Sequence, residues 1–146
     1  MDYTEERLCR EIVERAPDAI VFADREGTIR LWNAGAEAVF GFSKREALGK
    51  PLEIIIPERL RERHSEGYRR VMQTGESRYS QDLLAVPALR KDGSRISIEF
   101  SIAVVSSDAG AILGAAAIIR DVTARWERDR ALKQKLAECE AKQTQP

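Results

Sequence analysis

The chain has 146 residues, 43% of them hydrophobic, enough to close one core, and its 24 Lys and Arg balance 24 Asp and Glu, so no net field draws it to nucleic acid or to an anionic membrane. Its longest apolar run, residues 111–119, is too short to span a bilayer, the N-terminus is charged rather than signal-like, and Cys9 and Cys139 offer neither a disulfide framework nor a zinc spacing. The expectation is a soluble, cytoplasmic protein with no nucleic-acid or membrane partner.

Leu8, Ile12, Val13 and Ala16 recur at helical spacing, which predicts an amphipathic helix over 4–16 that stops before Pro17 and whose stripe needs a partner. Residues 19–23 and 28–32 are short apolar runs around Asp24-Arg25-Glu26-Gly27, the pattern of a hairpin. Asn33 can cap a following helix carrying Ala36, Ala38, Val39 and Phe40, which Gly41 ends. Ser43 and Glu46 form a capping-box pattern for another short helix up to Gly49. Pro57 suits the first turn of a longer helix ending near Gly75, with Leu60, His64, Tyr68 and Val71 or Met72 on one face. Residues 79–90 read as a strand weakened or bulged at Pro87, followed by a turn at Arg90-Lys91-Asp92-Gly93. Ile96, Ile98, Phe100, Ile102 and Val104 alternate with Ser97, Glu99, Ser101 and Ala103, the period of a half-buried strand. A turn at 106–110 leads to a last strand over 111–120. The charged segment beyond Thr123 carries Trp126, Ala131, Leu132, Leu136 and Cys139 at helical spacing, a stripe too partial to specify a coiled coil.

This order of elements resembles the PAS fold over about residues 8–125. The resemblance is carried by Pro17-Asp18-Ala19-Ile20, Ile29-x-Leu31-Trp32-Asn33, Ala36-x-x-x-Phe40-Gly41-Phe42-Ser43, Gly49-Lys50-Pro51, Arg90-Lys91-Asp92-Gly93 and Arg120-Asp121-Val122-Thr123. It implies an α+β fold: a five-stranded antiparallel sheet with helices on one face, enclosing a ligand or cofactor cavity and flanked by N- and C-terminal helices. The expected organisation is an amphipathic helix over 1–16, a PAS sensory domain over 17–123, and a signalling helix and tail over 124–146. Asp121 and Thr123 match the family's exit motif, which hydrogen-bonds the start of the signalling helix. With Trp126 they are the expected signal relay, although plain structural capping would use the same residue types.

No nucleophile-base set, multi-histidine site or Gly-rich phosphate loop is visible, so an enzyme is not expected. The helix carrying His64 resembles the one from which FixL-type haem PAS domains donate their proximal histidine. A neutral imidazole at His64 would ligate haem iron, Tyr68 shares its face, and Arg70, two turns on, would pair with a propionate. An ordinary, partly exposed histidine is the competing reading. The distal arginine of the oxygen sensors is replaced by Leu84. Tyr79, Leu84, Phe100 and Ile102 match pocket-lining positions of that subfamily. Small residues from Gly114 to Ala117, with Ala115 and Ala117 facing a cavity, would either enlarge it for an apolar guest or allow closer packing. Flavin-cysteine photochemistry is not expected, because residues 52–61 contain no cysteine. Trp32 and Trp126 read as packing anchors.

The sequence thus predicts a sensor that binds a small apolar ligand or haem. The competing function is a ligand-free dimerisation module. A homodimer is expected through Leu8, Ile12 and Val13, with a signalling output partner (histidine kinase, cyclase or transcription factor) in cis or trans, as in two-component signalling.

Overall fold

In the computed structural model, which describes residues 3–77 and 84–144, Asn33 is where the chain is tied together. Three segments meet there: α1 (Glu5–Arg15), the hairpin of β1 (Ala19–Asp24) and β2 (Ile29–Trp32), and α2 (Ala34–Phe40). Asn33 is fully buried. Its Oδ1 accepts from the Ile20 and Ala36 amides at 2.8 and 2.9 Å, while its Nδ2 donates to the Val13, Asp18 and Ala16 carbonyls at 2.8, 3.0 and 3.4 Å. The expected cap of α2 is thus also the clamp that holds α1 against the hairpin. Gly35 follows because a Cβ there would collide with the Asp18 carbonyl.

Gly41, left-handed at φ 82°, ends α2, and the Ser43–Glu46 capping box opens α3 (Lys44–Ala47) as expected. Residues 49–52 then run beside β2, with backbone bonds from Ile29 to Lys50, from Gly49 to Ile29 and from Leu52 to Gly27. The long helix starts later than Pro57 suggests. Residues 52–55 and 58–60 are 3₁₀ turns, and α4 spans Arg61–Thr74: Pro57, extended at ψ 137°, caps a tighter 3₁₀ turn that runs directly into α4. Gly75 ends α4 in the left-handed conformation, as expected.

β3 (Leu84–Leu89), β4 (Arg95–Ser106) and β5 (Ile112–Asp121) complete an antiparallel sheet in the order β2-β1-β5-β4-β3. No bulge forms at Pro87, which pairs in register with Ser97. β3 is the edge strand there, so the missing amide hydrogen costs the ladder nothing on its open side. One sheet face meets the helices and buries Ala19, Val21, Ile29, Trp32, Ile96, Ile98 and Ile119 with Phe40 and Ile55. Trp32 is the anchor expected of it: its ring meets Phe40 and Phe42, and its indole donates to the Phe42 carbonyl at 3.0 Å. The other tryptophan is not an anchor. Trp126 is 45% exposed on α5 (Thr123–Gln143) with the Arg130 guanidinium 5.4 Å above it, because α5 runs away from the body and has no buried residue. No helix among the described residues is long and apolar enough to cross a membrane.

Candidate functional site

α4 lies across the inner sheet face, and its spacing brings His64 and Tyr68 together one turn apart. Their rings stack at 6.1 Å between centroids. Burial pushes the His64 imidazole below its ordinary 6.5, with the Glu53 carboxylate pulling the other way, so the ring is neutral near pH 7. Glu53 also accepts from the Ser65 hydroxyl at 3.2 Å. Sequence reasoning missed Glu53; it is the one carboxylate in the apolar run 52–56, and that isolation is the signal that could have found it.

Tyr68 crosses from α4 to the sheet. Its hydroxyl lies 2.9 and 2.6 Å from the Ala23 and Asp24 carbonyls at the end of β1. Burial raises the phenol to about 12, and the Ala115 backbone amide works against that rise. The small residues of β5 therefore split by face. Ala115 and Ala117 pair with Ala23 and Val21 on the inner side, and the phenol reaches the backbone beside Ala115. Gly114 points the other way, where a Cβ would strike the Phe22 ring and the Ala23 carbonyl. Close packing thus applies at Gly114, and on the inner side the Tyr68 phenol packs against the backbone at Ala115.

Phe100 and Ile102 pair with Ile119 and Ala117 across the inner face, and Leu84 pairs with Phe100 through the backbone. Tyr79 lies outside the described residues. Arg70 does not join this group. Six residues from His64 leave it about 240° round the helix, and it is exposed. Two open clefts flank the ends of α4. One of about 570 Å³ is lined by Pro57, Glu58, Arg59, Leu89, Gly93 and Arg95, and one of about 490 Å³ by Gly75, Glu76, Ser77, Ile102, Ala103 and Val104.

The passage from β5 into α5 is densely bonded. The Asp121 carboxylate accepts from the Thr123 amide and hydroxyl at 2.9 and 2.5 Å. The Thr123 oxygen in turn accepts from the Ser97 amide at 3.0 Å, and the Val122 amide donates to the Ser97 carbonyl at 2.8 Å. Arg125 pairs with Glu99. Sequence reasoning named Asp121 and Thr123 but missed Ser97, Glu99 and Arg125, because only the β4–β5 register places them there.

The profile of the PAS fold matches residues 13–127. The chain belongs to the PAS fold family. An uncharacterized protein of Azorhizobium caulinodans is 36% identical over 125 residues, which cover 85% of this PAS chain and 17% of that protein. The sensor protein FixL of Bradyrhizobium diazoefficiens is 33% identical over 104 residues, 71% of this chain and 21% of FixL. The chain therefore spans about a fifth of the length of these relatives. The crystal structure of the PAS domain of a Colwellia psychrerythraea protein superposes with a TM-score of 0.72 at 25% identity, covering 82% of this chain and 98% of that one.

Proposed function

We propose that this PAS domain is a non-enzymatic sensory module of the cytoplasm. In this reading it takes a small apolar ligand between α4 and the inner sheet face and passes a conformational bias into α5. The observation that carries the reading is the junction: Thr123 is bonded to Asp121 and to Ser97, so the first turn of α5 is fixed to two strands of the sheet that would line the ligand site. A ligand acts through this junction only if it prefers one of two arrangements of those strands. The output element, a histidine kinase, cyclase or transcription factor, receives the bias from residues 124–142, with Trp126 exposed at their start. The kinship with a sensor protein supports this role.

Haem is the alternative guest. A neutral His64 is the right donor for iron. The rest of the site favours a smaller occupant, since Tyr68 stacks on His64 and reaches the sheet, Arg70 faces away, and neither flanking cleft is lined by His64. The test is the absorbance spectrum of protein purified from haem-supplemented cells, with mass spectrometry of whatever denaturation releases. A stoichiometric organic guest supports the reading. A Soret band that His64→Ala abolishes would replace it with a haem-based sensor.

A second reading, a homodimerisation module without a ligand, is favoured by α1, where Leu8 and Ile12 are 43% and 67% exposed and Val13 is half-buried beside them. Protein that releases nothing on denaturation and loses its dimer on Leu8→Glu and Ile12→Glu substitution would establish it.

A further inference from the structure

The half-buried carboxylates among the described residues are Glu14, Asp18, Asp24, Glu37, Glu53 and Glu99. Burial strips such a group of part of its water, so it needs a cation or a strong donor in exchange. Glu14, Asp18, Asp24 and Glu99 pair with Lys44, Arg120, Arg30 and Arg125. Glu37 accepts from the Lys44 amide at 2.9 Å where α3 opens. Glu53 differs from all of these. Its Oε1 accepts from the Ser65 hydroxyl at 3.2 Å, a long bond to a neutral donor, and no Lys or Arg among the described residues pairs with it. Arg61, one turn before Ser65 on α4, turns its guanidinium to the Ile56 carbonyl at 3.0 Å.

The surroundings of Glu53 add acceptors rather than cations. The charges felt at the two stacked rings are negative, that of Glu53 at His64 and those of Asp24 and Glu26 at Tyr68. Beside the rings, the inner sheet face leaves Val86 and Phe100 half-buried, opposite Ile98 and Ile119. We infer that Glu53 receives the head group of the guest, and that this guest is a small amine with an apolar body, bound as its ammonium ion. The inference rests on the ligand-binding reading above. The ammonium donates to the Glu53 oxygen that Ser65 does not use and to the lone pair of His64, which is neutral near pH 7. The face of the Tyr68 ring attracts the same charge, and the apolar body lies against Val86 and Phe100. An acid of the same shape would meet the Glu53 carboxylate with no cation to compensate. An alcohol would make the hydrogen bond without the charge. The selection therefore comes from charge at one end of the site, not from the shape of the whole.

Isothermal titration calorimetry of the chain at pH 7 with three probes of one shape, phenethylamine, phenethyl alcohol and phenylacetate, tests it. The amine is expected to bind on the order of tenfold more tightly than the alcohol, the scale of one charge-assisted hydrogen bond, and the acid more weakly than either. Glu53→Gln should bring the amine down to the alcohol while leaving the alcohol unchanged, which also shows that the site of the variant is intact. Where a copurifying guest resists displacement by the probes, the compound released on denaturation decides: an amine supports the inference, and an acid or a pure hydrocarbon overturns it. Phenylacetate binding as tightly as the amine, or an amine preference that survives Glu53→Gln, would overturn the inference and leave the ligand reading standing. No heat from any probe, with nothing released on denaturation, would overturn both.

Discussion

The two sides of this protein are built to different standards. Around Asn33, one buried amide satisfies five backbone groups from α1, the link that follows it, β1 and α2, and its oxygen and nitrogen both have partners of the right kind. Around α4, a 14-residue helix buries only Met72 and is tied to β1 by a single phenol. The first side resembles a frame, in which no buried side-chain polar atom among the described residues lacks a partner. The second is a helix resting on a sheet through half-buried side chains, and such elements open locally at lower free energy than a core. A sensory module needs both, a frame that does not move and one element that can.

Substitutions on each side should separate the two. The largest effect is expected for Asn33→Ala, which leaves two buried amides and at least two carbonyls without partners. A loss of about 3–5 kcal/mol is predicted in urea unfolding, with α1 released as well. Gly35→Ala should follow at about 2 kcal/mol, since the Asp18 carbonyl it would strike is itself held by Asn33. On the other side, Tyr68→Phe removes only the tie to β1 and should cost about 1 kcal/mol, while raising amide exchange in α4 far more than in α2. If Tyr68→Phe instead destabilises as much as Asn33→Ala, the contrast fails.

Two pH effects sharpen the same contrast. The Tyr68 phenol is held at about 12, above its ordinary 10, so the stability it contributes is fully present below pH 10 and is lost as the pH rises through about 12. His64 is held below 6.5, so its contribution is present above pH 6.5 and is lost as the pH falls through its folded-state value. Unfolding midpoints across both ranges should show the two slopes, and Tyr68→Phe and His64→Ala should each remove one. The smallest effect is expected for Thr123→Val, below about 1 kcal/mol in global stability, yet visible as faster exchange of the Ser97 amide, which loses its acceptor.

The frame was largely legible in the sequence, because caps and turns are local chemistry. Asn33 before Ala36, Ser43 with Glu46, and glycines at 41 and 75 each announce a helix end. The alternation from Ile96 to Val104 likewise announces the face that β4 buries. The errors came where tertiary context decides. Proline at 57 fits a helix start, but the turn it opens is 3₁₀, and the α-helical part begins only at Arg61. Trp126 looked like an anchor because it is large and apolar, and nothing local says that α5 leaves the body. The site was legible only as a face: His64 and Tyr68 share it by helical period, whereas the reach of Tyr68 to the Ala23 and Asp24 carbonyls depends on how α4 lies on a hairpin more than 40 residues away in sequence.

Native-state hydrogen exchange across low urea concentrations tests the central claim most directly. The account predicts that amides of α4 exchange through an opening well below the global unfolding free energy, while those of β1, β5 and α2 exchange only with global unfolding. Equal opening free energies for α4 and the Asn33 side would contradict it, since no element would then be free to admit a guest without unfolding the whole domain.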